Sequence, residues 1–462
     1  MSSKSEQWIH MVGIAGAGMS GLAKVLAEQG LKITGSDLQA NSIAAKFKDL
    51  GIKVYQGHSS SNLGEGVDLL VISSAIPQDN VEVKLAKERN IPVLKRGQML
   101  ANLVNTKKGI AIAGAHGKTT TTSMIYTILA DCGLDPSFIV GGELQGSDLN
   151  AKSGSGEFFI AEADESDASF LEIKPYIAVV TNIEDDHLDF YKSFDNIKNA
   201  FEQFLKQVDS QGFAVLYGGD KCNLRLKQKI PRQSILYGED QSFDYFLQDW
   251  TPDGMGSHFK VYRQREYLGD IELSVPGKHN ALNALASIII AVEAGIGIDD
   301  IKSALKKFSG ARRRFQVIGS KANITVVDDY AHHPTEIQAT IEAARAFHKG
   351  RVIVVFQPHR YSRTSILGKQ LGEAFVKVDK VIFTDVYSAG EQIIPGISGE
   401  TVYEAACAAG CRAMYMPSWE AIEGYLLKNC QQEDLIITMG AGDIWKLGVN
   451  LLNNIDESVL NL

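Results

Sequence analysis

Residues Lys108 to Gly133 read KGIAIAGAHGKTTTTSMIYTILADCG, and this stretch decides the fold. Gly109 to Ala113 is a run of small and branched apolar residues, which predicts a buried strand. Gly114-Ala115-His116-Gly117 is a turn. Lys118, four threonines beginning Thr119-Thr120, and an apolar run stopping at Gly133 predict a helix. Strand, glycine loop and helix in this order aim backbone N–H groups at phosphate oxygens, and the helix N-terminus adds partial positive charge. Lys118 would neutralise phosphate charge, and the Thr119 hydroxyl would ligate Mg²⁺. One position departs from the usual pattern: Ile112 stands where a glycine is common.

Upstream, Ile9 to Ala15 predicts a strand, and Gly16-Ala17-Gly18-Met19-Ser20-Gly21 opens a helix running to about Gln29. A second strand ends at Ser36-Asp37. This is a G-x-G-x-x-G fingerprint in its strand-loop-helix setting, with an acid about twenty residues on. Its glycines would let a diphosphate approach, and Asp37 could accept from a ribose hydroxyl. Asn102 to Lys108 is polar and predicts a linker to the next domain.

Downstream, two predicted strands end in acids: Phe158–Ala161 before Glu162-Ala163-Asp164-Glu165-Ser166-Asp167, and Ile177–Thr181 before Asn182-Ile183-Glu184-Asp185-Asp186-His187. A parallel sheet would aim both clusters at the edge that carries the glycine loop. Glu162 and His187 are candidates for the protein side of a magnesium shell, with His187 the softer ligand. Pro276-Gly277-Lys278-His279-Asn280 precedes a predicted helix, Ala281 to Ala294, for which Asn280 would serve as N-cap. No element is assigned to Asp220–Gly254.

Arg312-Arg313-Arg314 begins the last domain, and Arg314 is either a phosphate contact or part of a solvated patch. A strand at Ile324–Val327 precedes Asp328-Asp329-Tyr330-Ala331-His332-His333-Pro334. Another, Arg351–Phe356, precedes Gln357-Pro358-His359-Arg360-Tyr361-Ser362-Arg363. Arg360 and Arg363 offer planar forks that suit a carboxylate.

The whole chain is consistent with this pattern. At 462 residues it exceeds a single core, and its 45% hydrophobic and 22% charged residues are those of a globular protein. The net charge of −9 gives no electrostatic case for nucleic acid. No apolar run has membrane-spanning length. Five scattered cysteines and an opening MSSKSEQWIH without a signal-peptide core predict a cytoplasmic location.

Eight stretches together resemble the Mur ligases of peptidoglycan synthesis, over Trp8 to about Gly448. They are GIAGAGMSG (13–21), GAHGKTTTT (114–122), EADESDASF (162–170), NIEDDHLD (182–189), PGKHN (276–280), DDYAHHPTE (328–336), FQPHRYSRT (356–364) and GAGDI (440–444). Ala15 and Ala331 stand where the family commonly has glycine. The resemblance implies an α/β chain of three domains. These are a Rossmann-like UDP-sugar domain (1–107), a central P-loop ATPase-like domain (108–309) and a Rossmann-like amino-acid domain (310–462). It implies ATP-dependent joining of L-alanine to UDP-N-acetylmuramate through an acyl phosphate, as a step of cell-wall precursor synthesis. Gly16, Gly18 and Gly21 would surround the UDP diphosphate. Gly114, Ala115, His116, Gly117, Lys118, Thr119 and Thr120 would hold ATP, with Thr119, Glu162 and His187 on Mg²⁺. His279 and Asn280 would meet adenine, Arg314 a phosphate and Asp329 the ribose. Tyr330, His332, Arg360 and Arg363 would form the L-alanine site, with His332 a possible base for the amine.

Three alternatives remain at this level. One is the recycling ligase that joins the same UDP-sugar to a preformed tripeptide. A nicotinamide dehydrogenase would leave the GKT loop unexplained, and a nucleotide-gated binding protein would use both loops without turnover. The expected assembly is a monomer or homodimer.

Overall fold

The computed structural model describes residues 7–145 and 150–455. Its strands form three sheets. The first is all parallel and contains β1 (Trp8–Val12), β2 (Lys32–Asp37), β3 (Lys53–Gln56), β4 (Leu69–Ile72) and β5 (Val93–Lys95), in the order β3-β2-β1-β4-β5. Helices join these strands, giving the doubly wound arrangement expected of alternating strand and helix patterns. The strand predicted to reach Ala15 stops at Val12, because Gly13 turns the chain with φ +81°. The predicted linker is also corrected: Arg96–Val104 is a helix, and only a short turn separates it from the next strand.

The second sheet is built on β6 (Lys108–Ala113), β7 (Ser137–Ile139), β8 (Ala151–Lys152), β9 (Phe158–Glu162), β10 (Ile177–Val180), β11 (Phe213–Tyr217) and β12 (Gln233–Gly238). These run in the order β12-β11-β10-β6-β9-β7-β8. All pairs among them are parallel except β7 with β8. β13 (Tyr245–Asp253) joins β12 through Tyr237↔Tyr245, and β14 (Gly256–Arg263) and β15 (Glu266–Leu273) follow. The stretch left unassigned from sequence thus contains a helix, Lys221–Lys227, and the strands β12 and β13.

The third sheet has the order β16-β17-β21-β18-β19-β20, with β16 (Gln316–Lys321), β17 (Ile324–Asp329), β18 (Val352–Phe356), β19 (Lys380–Phe383), β20 (Ala413–Tyr415) and β21 (Leu435–Met439). Only β16 is antiparallel to its neighbour. Along β18 the side chains of Val352, Val354 and Phe356 pack in one core while Ile353 and Val355 pack in another. A continuous apolar run is what a strand covered on both faces requires.

The chain divides into two compact units. One extends to Phe246 and takes in Tyr262–Tyr267 and Asn283–Ala304. The other takes in Leu247–Val261, Leu268–Leu282 and the chain from Leu305. The first sheet and strands β6 to β12 of the second lie in one unit and share one apolar core, which includes Leu22 and Leu26 of the first helix with Ile139 and Ala161. No described helix is long and apolar enough to cross a membrane.

Candidate active site

Every group predicted for chemistry in the first unit lies at or just beyond a strand's C-terminal end. The glycine loop follows β6, Glu162 ends β9, and Asn182 to His187 follow β10. Gly114 and Gly117 have φ of +131° and +86°, a region closed to most side chains. A Cβ on Gly114 would lie 2.1 Å from Thr181 Oγ1, and one on Gly117 would lie 2.7 Å from Asn283 Oδ1. Asn182 fixes the loop from the next strand: its carbonyl accepts from Ala115 N–H (3.0 Å) and its side-chain oxygen from His116 N–H (2.9 Å). These two amides therefore serve the loop itself. The first turn of the helix Lys118–Asp131 presents N–H groups with no intrahelical acceptor, including those of Thr119 and Thr120.

Lys118 donates to Gly114 O (2.5 Å) and to both carboxylate oxygens of Glu165 (2.8 and 2.9 Å). Burial pushes the Lys118 ammonium toward its neutral form, but Glu165 and Asp164 outweigh it and hold the charge. Glu165 is buried, and its main-chain carbonyl accepts from Tyr191 Oη (2.7 Å). His187 caps the short helix Leu188–Tyr191 in a left-handed conformation, with Nε2 3.9 Å from Glu165 Oε1 and 3.6 Å from Asp186 Oδ2. Beside these groups runs Gly141-Gly142. A Cβ on Gly141 would lie 2.8 Å from Glu162 Oε2, and one on Gly142 3.2 Å from Thr119 Cγ2. The two glycines leave a side-chain-free margin against the Glu162 carboxylate and the methyl of Thr119. An oxygen-rich donor set of this kind fits a hard divalent cation.

The fingerprint turn holds itself together through Asp37, which accepts from Ala15 N–H (3.0 Å) and Gln39 N–H (2.8 Å). Its glycines differ in use. Gly18 lies under Arg96: a Cβ there would be 3.1 Å from both Cδ and Nη1 of that arginine. Gly21 instead lets the helix Ala17–Glu28 pack on Ile139 and Ala151, at 3.3 and 3.4 Å from a built Cβ. Behind the turn, fully buried Glu82 accepts from Ser36 Oγ (2.6 Å), Asn62 Nδ2 (2.8 Å) and Ser59 N–H (3.0 Å), tying the loop after β3 to the end of β2.

In the second unit, the helix predicted from Ala281 starts at Lys278, so Asn280 is inside it rather than at its cap. The Asn280 amide donates back to Pro276 O (2.7 Å), and His279 is exposed. Of the three arginines, Arg313 is a structural lock: Nε meets Asp328 Oδ2 (2.9 Å), and the two terminal nitrogens donate to Gly442 O (2.9 Å) and Gly440 O (2.6 Å). Arg314 faces Glu336 at 3.4 Å and stacks 5.1 Å over the Tyr330 ring. Asp329 is buried and accepts from Phe315 N–H (2.7 Å) and Ala331 N–H (2.8 Å). Burial raises its carboxyl to about 6.

Tyr330, His332, His359 and Tyr387 form a chain of rings, with centroids 5.4, 5.8 and 5.6 Å apart. His332 Nδ1 lies 3.0 Å from Tyr330 O. A carbonyl can only accept, so Nδ1 carries a proton, and in the neutral ring Nε2 holds the lone pair. Arg363 Nη1 meets His359 Nδ1 at 3.3 Å. Burial, with His332 and both arginines nearby, lowers the His359 imidazole to about 3. Arg360 has φ +68° and ψ 136°, and its buried Nε has no hydrogen-bond partner among the described residues. Glu165 lies within a motif, Arg96 outside any and His359 within another, and no sequence pattern marks the three. Their partners are 47, 68 and 27 residues away in sequence, a separation no local pattern reports.

Three family models cover this chain: "Mur ligase family, catalytic domain" over 8–108, "Mur ligase middle domain" over 112–291 and "Mur ligase, glutamate ligase domain" over 313–442. The chain belongs to the Mur ligase family. Within it, the chain is 64% identical to the UDP-N-acetylmuramate–L-alanine ligase of Syntrophomonas wolfei, over 99% of each sequence. It is 45% identical to the ligase of the same name from Desulforamulus reducens, over 97% of this chain and 98% of that one. Among solved structures, the UDP-N-acetylmuramate-alanine ligase of Thermotoga maritima superposes with a TM-score of 0.83 at 27% identity, covering 97% of this chain and 99% of that one. A murein peptide ligase from Psychrobacter arcticus shares the fold, with a TM-score of 0.72 at 24% identity over the same fractions.

Proposed function

We propose that this chain is the ATP-dependent ligase that joins L-alanine to the carboxyl group of UDP-N-acetylmuramate. The observation that carries this reading is the 64% identity, over 99% of both sequences, to a ligase of that name. The recycling alternative is not favoured, since the full-length relatives at 64% and 45% identity both carry the L-alanine ligase name.

A carboxylate does not accept an amine directly, because oxide would have to leave. Transfer of the γ-phosphoryl group of ATP gives an acyl phosphate and ADP. The L-alanine amine then attacks, and phosphate leaves as the amide forms. In the first unit, Lys118 would offset charge on the moving phosphoryl group, with first-turn amides of its helix on neighbouring oxygens. Thr119, Glu162 and His187 would hold Mg²⁺, which supplies Lewis-acid stabilisation of phosphate charge when bound. Gly16, Gly18 and Asp37 would receive the UDP diphosphate and ribose, with Gly21 supporting the helix behind them. In the second unit, Arg360 and Arg363 would fork onto the L-alanine carboxylate beside Tyr330. His332 Nε2 would accept a proton from the amine. His279 and Asn280 would meet adenine, Arg314 a phosphate and Asp329 the ribose. Asp329 would do so through lone pairs its two main-chain donors leave over. Cytoplasmic location fits substrates of this kind.

The test is magnesium-dependent phosphate release from ATP with UDP-N-acetylmuramate plus L-alanine, plus the recycling tripeptide, or plus neither. Release with L-alanine alone is expected. Release only with the tripeptide would replace this reading by the recycling one.

A further inference from the structure

The Lys118 ammonium has three N–H donors, and the chain itself engages all of them. Gly114 O lies at 2.5 Å and the two Glu165 oxygens at 2.8 and 2.9 Å. Glu165 presents two anionic oxygens to a lysine wrapped by a glycine loop, which is the presentation a phosphate group makes. Glu165 is buried and anchored there through its main chain. It is 3% exposed, and its main-chain carbonyl accepts from Tyr191 Oη and, at 3.1 Å, from Ala168 N–H. Its sequence neighbour Asp164 accepts from Ser166 N–H (3.0 Å) and pairs with Arg96.

We propose that Glu165 is a positioning residue that acts through Lys118, standing in for phosphate on its ammonium and yielding it only when nucleotide displaces the contact. This rests on the reading of the loop as the ATP site. A polyphosphate that enters without a cation meets a lysine already neutralised and a buried carboxylate of its own sign. Nucleotide affinity is therefore reduced by the fraction of molecules in which Lys118 is released. The pair would also prevent Lys118 from holding adventitious anions. Such a contact acts on binding, not on the later attack of the amine.

The experiment is a calorimetric titration of ADP in EDTA, compared with ADP plus Mg²⁺, on the full chain and on Glu165→Gln, Glu165→Asp, Lys118→Ala and Lys118→Ala/Glu165→Gln. Without magnesium, Glu165→Gln is expected to bind ADP about tenfold tighter than the parent chain, if the released lysine is about a tenth of the population. Glu165→Asp keeps the charge but shortens the reach, so it too should bind more tightly. A merely structural role would weaken binding in both. In the Lys118→Ala background the same Gln substitution should change little. Equal or weaker binding by both Glu165 variants would overturn the proposal and leave the ATP site standing. So would tightening that persists without Lys118, because that would be simple charge repulsion. If the parent chain binds no ADP even with magnesium, the ATP reading fails and this inference fails with it.

Discussion

Arg96 Nη2 lies 3.3 Å from Asp164 Oδ2, so the guanidinium over Gly18 of the first glycine turn is held by the acidic loop that follows β9. Arg96 starts a helix, where the macrodipole disfavours a cation, and it sits beside the N-terminus of the helix Ala17–Glu28. An anion at Gly18 would relieve that arrangement. Arg96→Ala should therefore raise KM for UDP-N-acetylmuramate by about tenfold or more, the scale of one charge-assisted hydrogen bond. The affinity for ADP with magnesium should change little. Steady-state kinetics with each substrate varied in turn would check this. A rise confined to the KM for ATP would contradict it.

Lys118→Ala should abolish phosphate release and also destabilise the fold, because it strands Glu165 as a buried charge. The cost is expected to be about 3 kcal/mol, as for other pairs broken on one side. Adding Glu165→Gln should recover most of that stability and none of the activity. Urea midpoints of the single and double variants would measure the recovery.

Gly114→Ala and Gly18→Ala are formally the same change but should differ in effect. At Gly114 the new methyl meets Thr181 Oγ1 at 2.1 Å and the Asn182 backbone at 2.9–3.0 Å, with φ already at +131°. A loss of about 1–3 kcal/mol is expected from overpacking. At Gly18 the methyl meets only the flexible end of Arg96, so the fold should persist. Thermal melts of the two variants would separate them.

Arg360 carries a backbone conformation that glycine adopts freely. Arg360→Gly should relieve strain of about 1 kcal/mol or more and raise Tm, while phosphate release dependent on L-alanine is lost. A variant that melts lower than the parent would show that the side chain's packing, not its backbone, governs the site.

His359 stays neutral in the folded chain down to about 3, whereas an unfolded imidazole protonates near its ordinary value of 6.5. The folded pKa is lowered, so the unfolded state binds the extra proton as acidity rises. Stability is therefore fully present above about 6.5 and is lost as pH falls from there toward 3. His359→Gln should show a shallower fall in Tm below about pH 6.5 than the parent chain. Asp329, raised to about 6 by burial, works in the opposite sense: its folded form takes a proton first, so its contribution improves as pH falls below about 6. Comparing the two melting profiles removes that shared background.

Much of this site was legible because parallel strands declare themselves twice, as apolar runs and as polar clusters at their ends. Gly114–Lys118, Glu162 and His187 could be placed together on that basis alone. Roles within a cluster were not legible. Glu165 and Glu162 look equivalent in EADESD, but one pairs with Lys118 and the other borders Gly141. Arg313 and Arg314 are adjacent, and only the fold makes one a lock on Gly440 and Gly442. The strands between Asp220 and Gly254 were missed for a different reason. β13 begins with buried Tyr245, Phe246 and Leu247 but continues as polar, exposed residues including Pro252, so its alternation fades before it can be counted.

Asn182 engages the N–H groups of Ala115 and His116 with two oxygens of a single residue on the end of β10. Those amides will exchange slowly with solvent deuterium whether or not nucleotide is present, so protection there reports on the loop's own rigidity. The amides at the start of the neighbouring helix, from Lys118 to Thr120, have no such partner within the helix. Slowed exchange at those positions, and not in the loop, is the signal that would follow occupancy of the site in solution.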